Sequence, residues 1–355
     1  MIRAVPHVAA MAPYALADLG GAATISLAQN ESAFAASPAA IAAGRAVLDQ
    51  MPLYPDPEWP DLRAAVAEVH GLEPGNILCG AGSMELIGCL IRAYAGPGDR
   101  VLGTDNGYAF VATAAAQVQA DYVKARELDL TVSVDDILAA VTPDTSIVFV
   151  CNPGNPTGTL IPNAEILRLR AGLPADVMLV VDQAYAEFAD ADHDPAEIFA
   201  LVERGDTVVM RTLSKAYGLA GARAGWGYFP SAIAVEVRKL LNPNNISIPS
   251  QAMAAAAMRD QAHMQDVVAK TSAIRDGFAE ACRALGLDVP QSHTNFVLIR
   301  FASPEQAQAA DTALRAKHLL MRGMGGYGLH NCLRATICGQ EIMDRALAVL
   351  KGVLK

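Results

Sequence analysis

From about residue 75 to residue 230 the chain alternates short apolar, β-branched runs with amphipathic or alanine-rich segments. That alternation is the signature of β-α-β units around a mostly parallel sheet, so the fold class expected is α/β. Strands are expected over 100–104, 121–125, 146–152, 177–182, 207–214 and 222–229, and an apolar helix over 84–95. The runs Ser-Ile-Val-Phe-Val-Cys and Val-Met-Leu-Val-Val are continuously apolar rather than alternating, as strands covered by helices on both faces are. Ligands of such sheets gather at the carboxyl ends of the strands, so chemistry is expected in the residues that follow each run.

The pattern breaks at the polar, proline-bearing stretch 241–250, which reads as a hinge, and a long helical segment follows to about residue 285. Beyond it a strand is expected over 294–301, a helix over 304–317, a strand over 333–338 and a closing helix over 341–354, an α+β arrangement. Pro6, Pro13 and the Gly20-Gly21 pair argue against an independent N-terminal fold. The expected organisation is therefore an arm or an added part of the smaller domain over 1–29, a large domain over 30–245, and an interdomain helix with a small domain over 246–355. The chain shows no internal repeat and no charge block.

Composition narrows the class. The chain has 355 residues, of which 52% are hydrophobic and 18% charged, enough apolar surface for a large core and too much for a disordered chain. The net charge of −10 has the wrong sign for neutralising nucleic-acid phosphates or anionic lipid. No apolar run reaches the roughly 18 to 20 residues that cross a bilayer, and Pro6, His7 and Pro13 interrupt any leader-like stretch, so a cytoplasmic location is expected. The six cysteines include no C-x-x-C and the seven histidines are scattered, which favours structural thiols and gives a metal site little support.

The richest segment is Thr212-Leu-Ser-Lys215-Ala-Tyr-Gly-Leu-Ala-Gly-Ala-Arg223. A lysine after a strand, flanked by Thr212 and Ser214 and followed by Arg223, makes an anion pocket around one amine, as a covalent link to an aldehyde cofactor requires. An exposed loop lysine is the plain alternative. Val-Val-Asp182-Gln-Ala-Tyr185 ends a buried strand with a carboxylate, suited to pair with a protonated pyridine nitrogen and equally suited to cap a helix. Tyr185 could donate to the ring's phenolic oxygen. In Cys151-Asn-Pro-Gly-Asn155-Pro-Thr-Gly, two X-Pro pairs and two glycines set an irregular turn that can aim Asn155 into a crevice.

Gly80-Ala81-Gly82-Ser83-Met84-Glu85 opens the expected helix, whose free N–H groups can hold a phosphate. Glu85 in its first turn suits the helix dipole and needs no catalytic role. Tyr108, after the strand ending near Thr104, could stack on a planar ring or simply be half-buried. In Leu333-Arg334-Ala-Thr an arginine lies within an apolar strand, where it needs an anion: a structural partner or a substrate's carboxylate or phosphate. Arg322, on what reads as a Gly-rich loop just upstream, could assist it.

Together these motifs, in this order and spacing across roughly residues 25 to 340, resemble the fold-type I, class I and II pyridoxal-phosphate aminotransferases. Tyr54-Pro-Asp-Pro and Gly325-Gly-Tyr-Gly-Leu-His-Asn-Cys-Leu-Arg334 most resemble the histidinol-phosphate aminotransferase subfamily. The resemblance implies an aspartate-aminotransferase-like fold, pyridoxal 5′-phosphate as cofactor, and ping-pong transfer of an amino group from L-histidinol phosphate to 2-oxoglutarate. It implies that Lys215 carries the cofactor and moves the proton, that Asp182 pairs with the pyridine nitrogen, and that Asn155 and Tyr185 bind the phenolic oxygen while Tyr108 stacks on the ring. Ala81, Gly82, Ser83, Thr212, Ser214 and Arg223 would hold the phosphate. Arg334, Arg322, Asn30 and Tyr14 would face the substrate, and Tyr54 would reach the partner's site across a homodimer interface.

Two positions depart from the resemblance: Met84 stands where an acidic residue is common, and His330 where the subfamily has proline. An aromatic amino-acid aminotransferase or a threonine-phosphate decarboxylase would use the same cofactor residues. A non-catalytic sensor domain would lack Lys215 or Asp182, and a regulator would need a DNA-binding module for which the first 30 residues leave no room.

Overall fold

The computed structural model describes residues 2–12, 21, 23–189 and 193–354. Its strands are β1 (Ile25–Leu27), β2 (Ile77–Gly80), β3 (Arg100–Thr104), β4 (Asp121–Ala125), β5 (Glu127–Leu128), β6 (Thr131–Val132), β7 (Thr145–Cys151), β8 (Met178–Asp182), β9 (Thr207–Thr212), β10 (Gly225–Tyr228), β11 (Phe296–Arg300), β12 (Leu319–Met324) and β13 (Leu329–Thr336). Seven of them form one sheet in the order β2-β10-β9-β8-β7-β3-β4. β10 runs antiparallel to both its neighbours, β2 and β9, and the other pairs of that sheet are parallel. Every residue of β8 and β9 is buried. A strand covered on both faces has no polar side to show, which is why these runs are apolar without alternation.

The helix Ser83–Tyr94 covers one face of this sheet because Leu86, Ile87, Leu90 and Ile91 recur at helical spacing and are fully buried. Each such side chain contributes about 2 kcal/mol of transfer free energy. The helix ends at Ala95, in extended conformation, just before Gly96 and Pro97. Its first turn therefore lies at the carboxyl edge of the sheet, where β2 delivers it.

A second sheet has the order β1-β12-β13-β11, with β1 parallel to β12 and the other pairs antiparallel. Residues 25–27 thus pair with a strand some 290 positions away, and the loop that follows them, 28–31, runs between the two sheets. The helices Pro304–Arg315 and Gln340–Val353 and the end of Gln261–Ala284 pack on this sheet in a core of their own, around Phe278, Leu298's neighbours Val297 and Ile299, Leu314 and Leu350.

Two expectations are corrected, and one strand is added. Arg322 lies in β12 rather than on a loop; Gly323 and Met324 sit at a register shift against β13, which breaks the sequence pattern without breaking the strand. β2 was not foreseen, since its four residues are too short a run to stand out. The stretch 241–250 is anchored rather than hinge-like: Asn245 accepts from Trp59 Nε1 (2.9 Å) and donates to Cys79 O (3.1 Å) and Glu85 (2.8 Å), and Ile246 is buried. The helix Ile248–Arg259 that follows belongs to the first core through Ala254, Ala255, Ala257 and Met258. Among the described residues no helix is long and apolar enough to cross a membrane, and no cluster of His, Cys, Asp and Glu is placed to hold a metal ion.

Candidate active site

A cavity of about 490 Å³ lies at the carboxyl ends of β3, β7, β8 and β9, closed from the other side by the loop 28–31 and by β12 and β13. Asp182 is the last residue of β8 and lies on its floor, 3% exposed. Its Oδ1 accepts the Ala184 N–H at 3.1 Å. Burial pushes its carboxyl up to about 7, against the lesser pull of that hydrogen bond and of Lys215. For this carboxylate burial outweighs the pull of Lys215, and a protonated ring nitrogen is the kind of group that would restore its charge.

Lys215 follows β9 by three residues and enters the cavity from the side. Its Nζ donates to Asn30 O at 2.9 Å and stands 5.8 Å from the Tyr185 ring centre. Burial, with Arg334 and Arg223 nearby, lowers its amine to about 8, while Glu31 and Asp182 oppose the shift. An amine so poised is available as a nucleophile near neutrality. Tyr185 is 2% exposed and stands edge-on to Phe296, ring centres 5.3 Å apart. Burial raises its hydroxyl well above the ordinary phenol range, so it stays protonated and able to donate.

At one end of the cavity Gly82, Ser83, Thr212, Ser214 and Arg223 form a cup. Thr212 Oγ1 donates to Ser214 Oγ at 3.0 Å, and no side chain caps the first turn of the helix Ser83–Tyr94. Gly82 has φ +80°, and a Cβ there would come within 2.6 Å of Arg223 Nη2. Gly225 in β10 passes so close beneath that a Cβ would meet the Ser83 nitrogen at 2.4 Å. The glycines are thus what lets helix terminus, strand and guanidinium converge on one small anion. Ala81 does not offer its N–H to the cup as expected: Glu85 Oε2 takes it at 2.7 Å, so Glu85 shapes the turn.

At the other end Arg334 and Arg322 are cross-strand partners on β13 and β12, both lining the cavity. Arg334 is 6% exposed; its Nη1 donates to Asn155 Oδ1 and its Nη2 to Ala28 O, each at 2.7 Å. Tyr108 and Met84 also line the cavity. Carboxylate, amine, phosphate cup and flat aromatic wall together fit a phosphorylated pyridine aldehyde.

Of the other residues expected here, Asn30 lines the cavity but commits its side chain to Tyr185 (2.8 Å) and Thr336 (3.3 Å) rather than to a substrate. Tyr54 is 86% exposed and outside the cavity wall, and His330 is exposed beside the helix Pro304–Arg315. Tyr14 lies outside the described residues. Sequence reasoning missed Gln29, Glu31 and Tyr327 in the wall. Tyr327 stands inside the Gly-Gly-Tyr-Gly motif and could have been found there; Gln29 and Glu31 follow a three-residue strand that leaves no periodic signal.

The family model for aminotransferase class I and II matches residues 22–350. The histidinol-phosphate aminotransferase of Paramagnetospirillum magneticum is 45% identical over 330 residues, 92% of this chain and 91% of that one. The crystal structure of histidinol-phosphate aminotransferase from Sinorhizobium meliloti in complex with pyridoxal-5′-phosphate superposes with a TM-score of 0.92 at 29% identity, covering 100% of this chain and 98% of that one. A Thermus thermophilus aspartate aminotransferase mutant shares the fold, with a TM-score of 0.85 at 22% identity over 99% and 100% of the two chains.

Proposed function

The chain belongs to the class I and II aminotransferases, and from that premise we propose that it is a pyridoxal-phosphate-dependent transaminase that takes the amino group of L-histidinol phosphate and passes it to 2-oxoglutarate. The observation that carries this reading is the presence in one cavity of Lys215, with its amine lowered to about 8, and the buried Asp182. Pyridoxal phosphate, when bound, supplies an aldehyde that takes up amines and an electron-poor ring that accepts charge.

Every other part is played by the chain's own residues. Asp182 keeps a proton on the ring nitrogen by facing it with a carboxylate. Asn155 and Tyr185 donate to the phenolic oxygen, and Tyr108 covers the ring face. Gly82, Ser83, Thr212, Ser214 and Arg223 hold the phosphate. Lys215 Nζ would hold the aldehyde and serve as the base that takes and returns the proton of the donor's Cα. Arg334 and Arg322 bind the anionic end of the substrate. A guanidinium pair reads phosphate and carboxylate alike, so the same clamp serves histidinol phosphate in one half of the cycle and glutamate in the other.

The relatives named for histidinol phosphate support that donor over an aromatic amino acid. We place the work in the cytoplasm, in a homodimer whose Tyr54 reaches the partner's cavity; its 86% exposure, beside the exposed Met51 and Leu53, supports a covered position in the assembly. In this division residues 30–245 and the helix Ile248–Arg259 form the cofactor domain, and 25–27 join the smaller one. The test is Lys215→Ala, which abolishes transamination with any donor; normal turnover in that variant contradicts the proposal.

A further inference from the structure

Asn30 is the meeting point of the two sheets. It follows β1 with φ +56°, a left-handed conformation that asparagine tolerates better than most residues. Its N–H donates to Thr336 Oγ1 at 2.9 Å, and its carbonyl accepts from Lys215 Nζ at 2.9 Å and Asn295 Nδ2 at 3.1 Å. In its side chain, Oδ1 accepts from the Thr336 hydroxyl at 3.3 Å and Nδ2 donates to the Tyr185 oxygen at 2.8 Å. All three residues are buried, with Asn30 2%, Thr336 5% and Tyr185 2% exposed.

The donor and acceptor inventory fixes the direction of every bond in this chain. Asn30 N–H can only donate, so it occupies a lone pair of the Thr336 oxygen. The Thr336 proton then needs an acceptor, and Asn30 Oδ1 is the one it has. Turning the amide over would fill the second lone pair of the Thr336 oxygen and take Oδ1 away from its buried hydroxyl proton. The Asn30 amide is therefore held with Nδ2 toward Tyr185, and the Tyr185 oxygen accepts. Its own proton is then left for another acceptor, and Tyr185 lines the cavity.

We propose that Thr336 is a positioning residue for the reaction: acting through the Asn30 amide, it makes Tyr185 a hydrogen-bond donor toward the cofactor's phenolic oxygen. The inference rests on the aminotransferase reading and adds to it a residue of β13, in the smaller sheet, that touches neither substrate nor cofactor. Tyr185 is then set as a donor only while the two sheets are docked through Asn30.

The experiment reads the pH midpoint of the visible band of the holoenzyme in wild type, Thr336→Val, Thr336→Ala, Thr336→Ser, Tyr185→Phe and the double variant Thr336→Val with Tyr185→Phe. A donor to an ionised oxygen favours the ionised form, so losing it raises the midpoint, by about one pH unit for Tyr185→Phe. Thr336→Val and Thr336→Ala each raise it by a measurable part of that shift, Thr336→Ser stays with wild type, and the double variant matches Tyr185→Phe alone because both changes remove one interaction. Unmoved midpoints in Thr336→Val and Thr336→Ala, or a double variant that shifts by the sum of the singles, overturn the proposal. A wild-type protein with no visible band after pyridoxal phosphate is added defeats the aminotransferase reading and this inference with it; a normal band with unmoved midpoints defeats this inference alone.

Discussion

Arg334 Nη1 donates to Asn155 Oδ1 at 2.7 Å, joining β13 of the smaller sheet to the turn that follows β7 of the larger. The bond commits the amide oxygen of Asn155, which leaves Nδ2 as the part of that side chain available to the cavity. With Nη2 held by Ala28 O, two neutral oxygens fix the plane of the guanidinium. One hydrogen bond thus orients a group for the substrate and a group for the cofactor.

Arg334→Lys keeps the charge and loses the fork, since one ammonium cannot reproduce both in-plane bonds. We expect kcat/KM to fall about 100-fold, roughly 2.7 kcal/mol of transition-state binding, for the phosphorylated donor and for glutamate alike. Steady-state kinetics with both substrates checks this; a loss confined to one of them contradicts a shared clamp.

Asp182→Asn separates the cost of the buried carboxylate from its use. The folded carboxyl titrates at about 7 against an ordinary 3.8, so the folded apoprotein binds this proton more tightly than the unfolded chain. Its contribution to stability is present below pH 3.8, is lost as pH rises to about 7, and the penalty is complete above that. The apo variant should therefore melt higher than apo wild type at pH 8, with the gap closing toward pH 4, while its turnover with cofactor collapses. Thermal melts of both apoproteins across that range are the check, and a gap independent of pH is the contrary result.

Capture of added pyridoxal phosphate by the apoenzyme should follow the neutral fraction of Lys215. With the amine at about 8, the capture rate climbs with pH and levels off above that value, about a tenth of the maximum remaining at pH 7. Stopped-flow absorbance reads it directly. A rate still climbing through pH 10 would mean an ordinary, solvated lysine.

Gly82→Ala places a Cβ at 2.6 Å from Arg223 Nη2 at a residue with φ +80°. Either the turn or the guanidinium must shift, and cofactor affinity should weaken about tenfold, some 1.4 kcal/mol. Equilibrium titration of the apoprotein measures it, with circular dichroism as the control for folding.

Much of this was legible in the sequence because the chemistry sits at strand ends. β3 and β4 were expected over the residues they occupy; Asp182 ends a β-rich run, and Asn155 and Lys215 follow two others. The resemblance named the residues expected in the cup, whereas Ala81's commitment to Glu85 depends on a side-chain path that no spacing records. The anchored stretch 241–250 was misjudged because its prolines and asparagines resemble a linker, whereas Asn245 uses its amide to bridge Trp59, Cys79 and Glu85. Asn30 and Thr336 are 306 positions apart in sequence and meet only because β1 adds to the sheet that holds β13. Contacts of that kind have no local signature.

The most direct test of the account is a single-turnover titration of the purified holoenzyme, following the visible band, with L-histidinol phosphate beside phenylalanine, tyrosine and glutamate. The account predicts a yellow band that bleaches at the lowest concentration with histidinol phosphate. Bleaching first by phenylalanine or tyrosine, or no yellow band after pyridoxal phosphate is added, would contradict it.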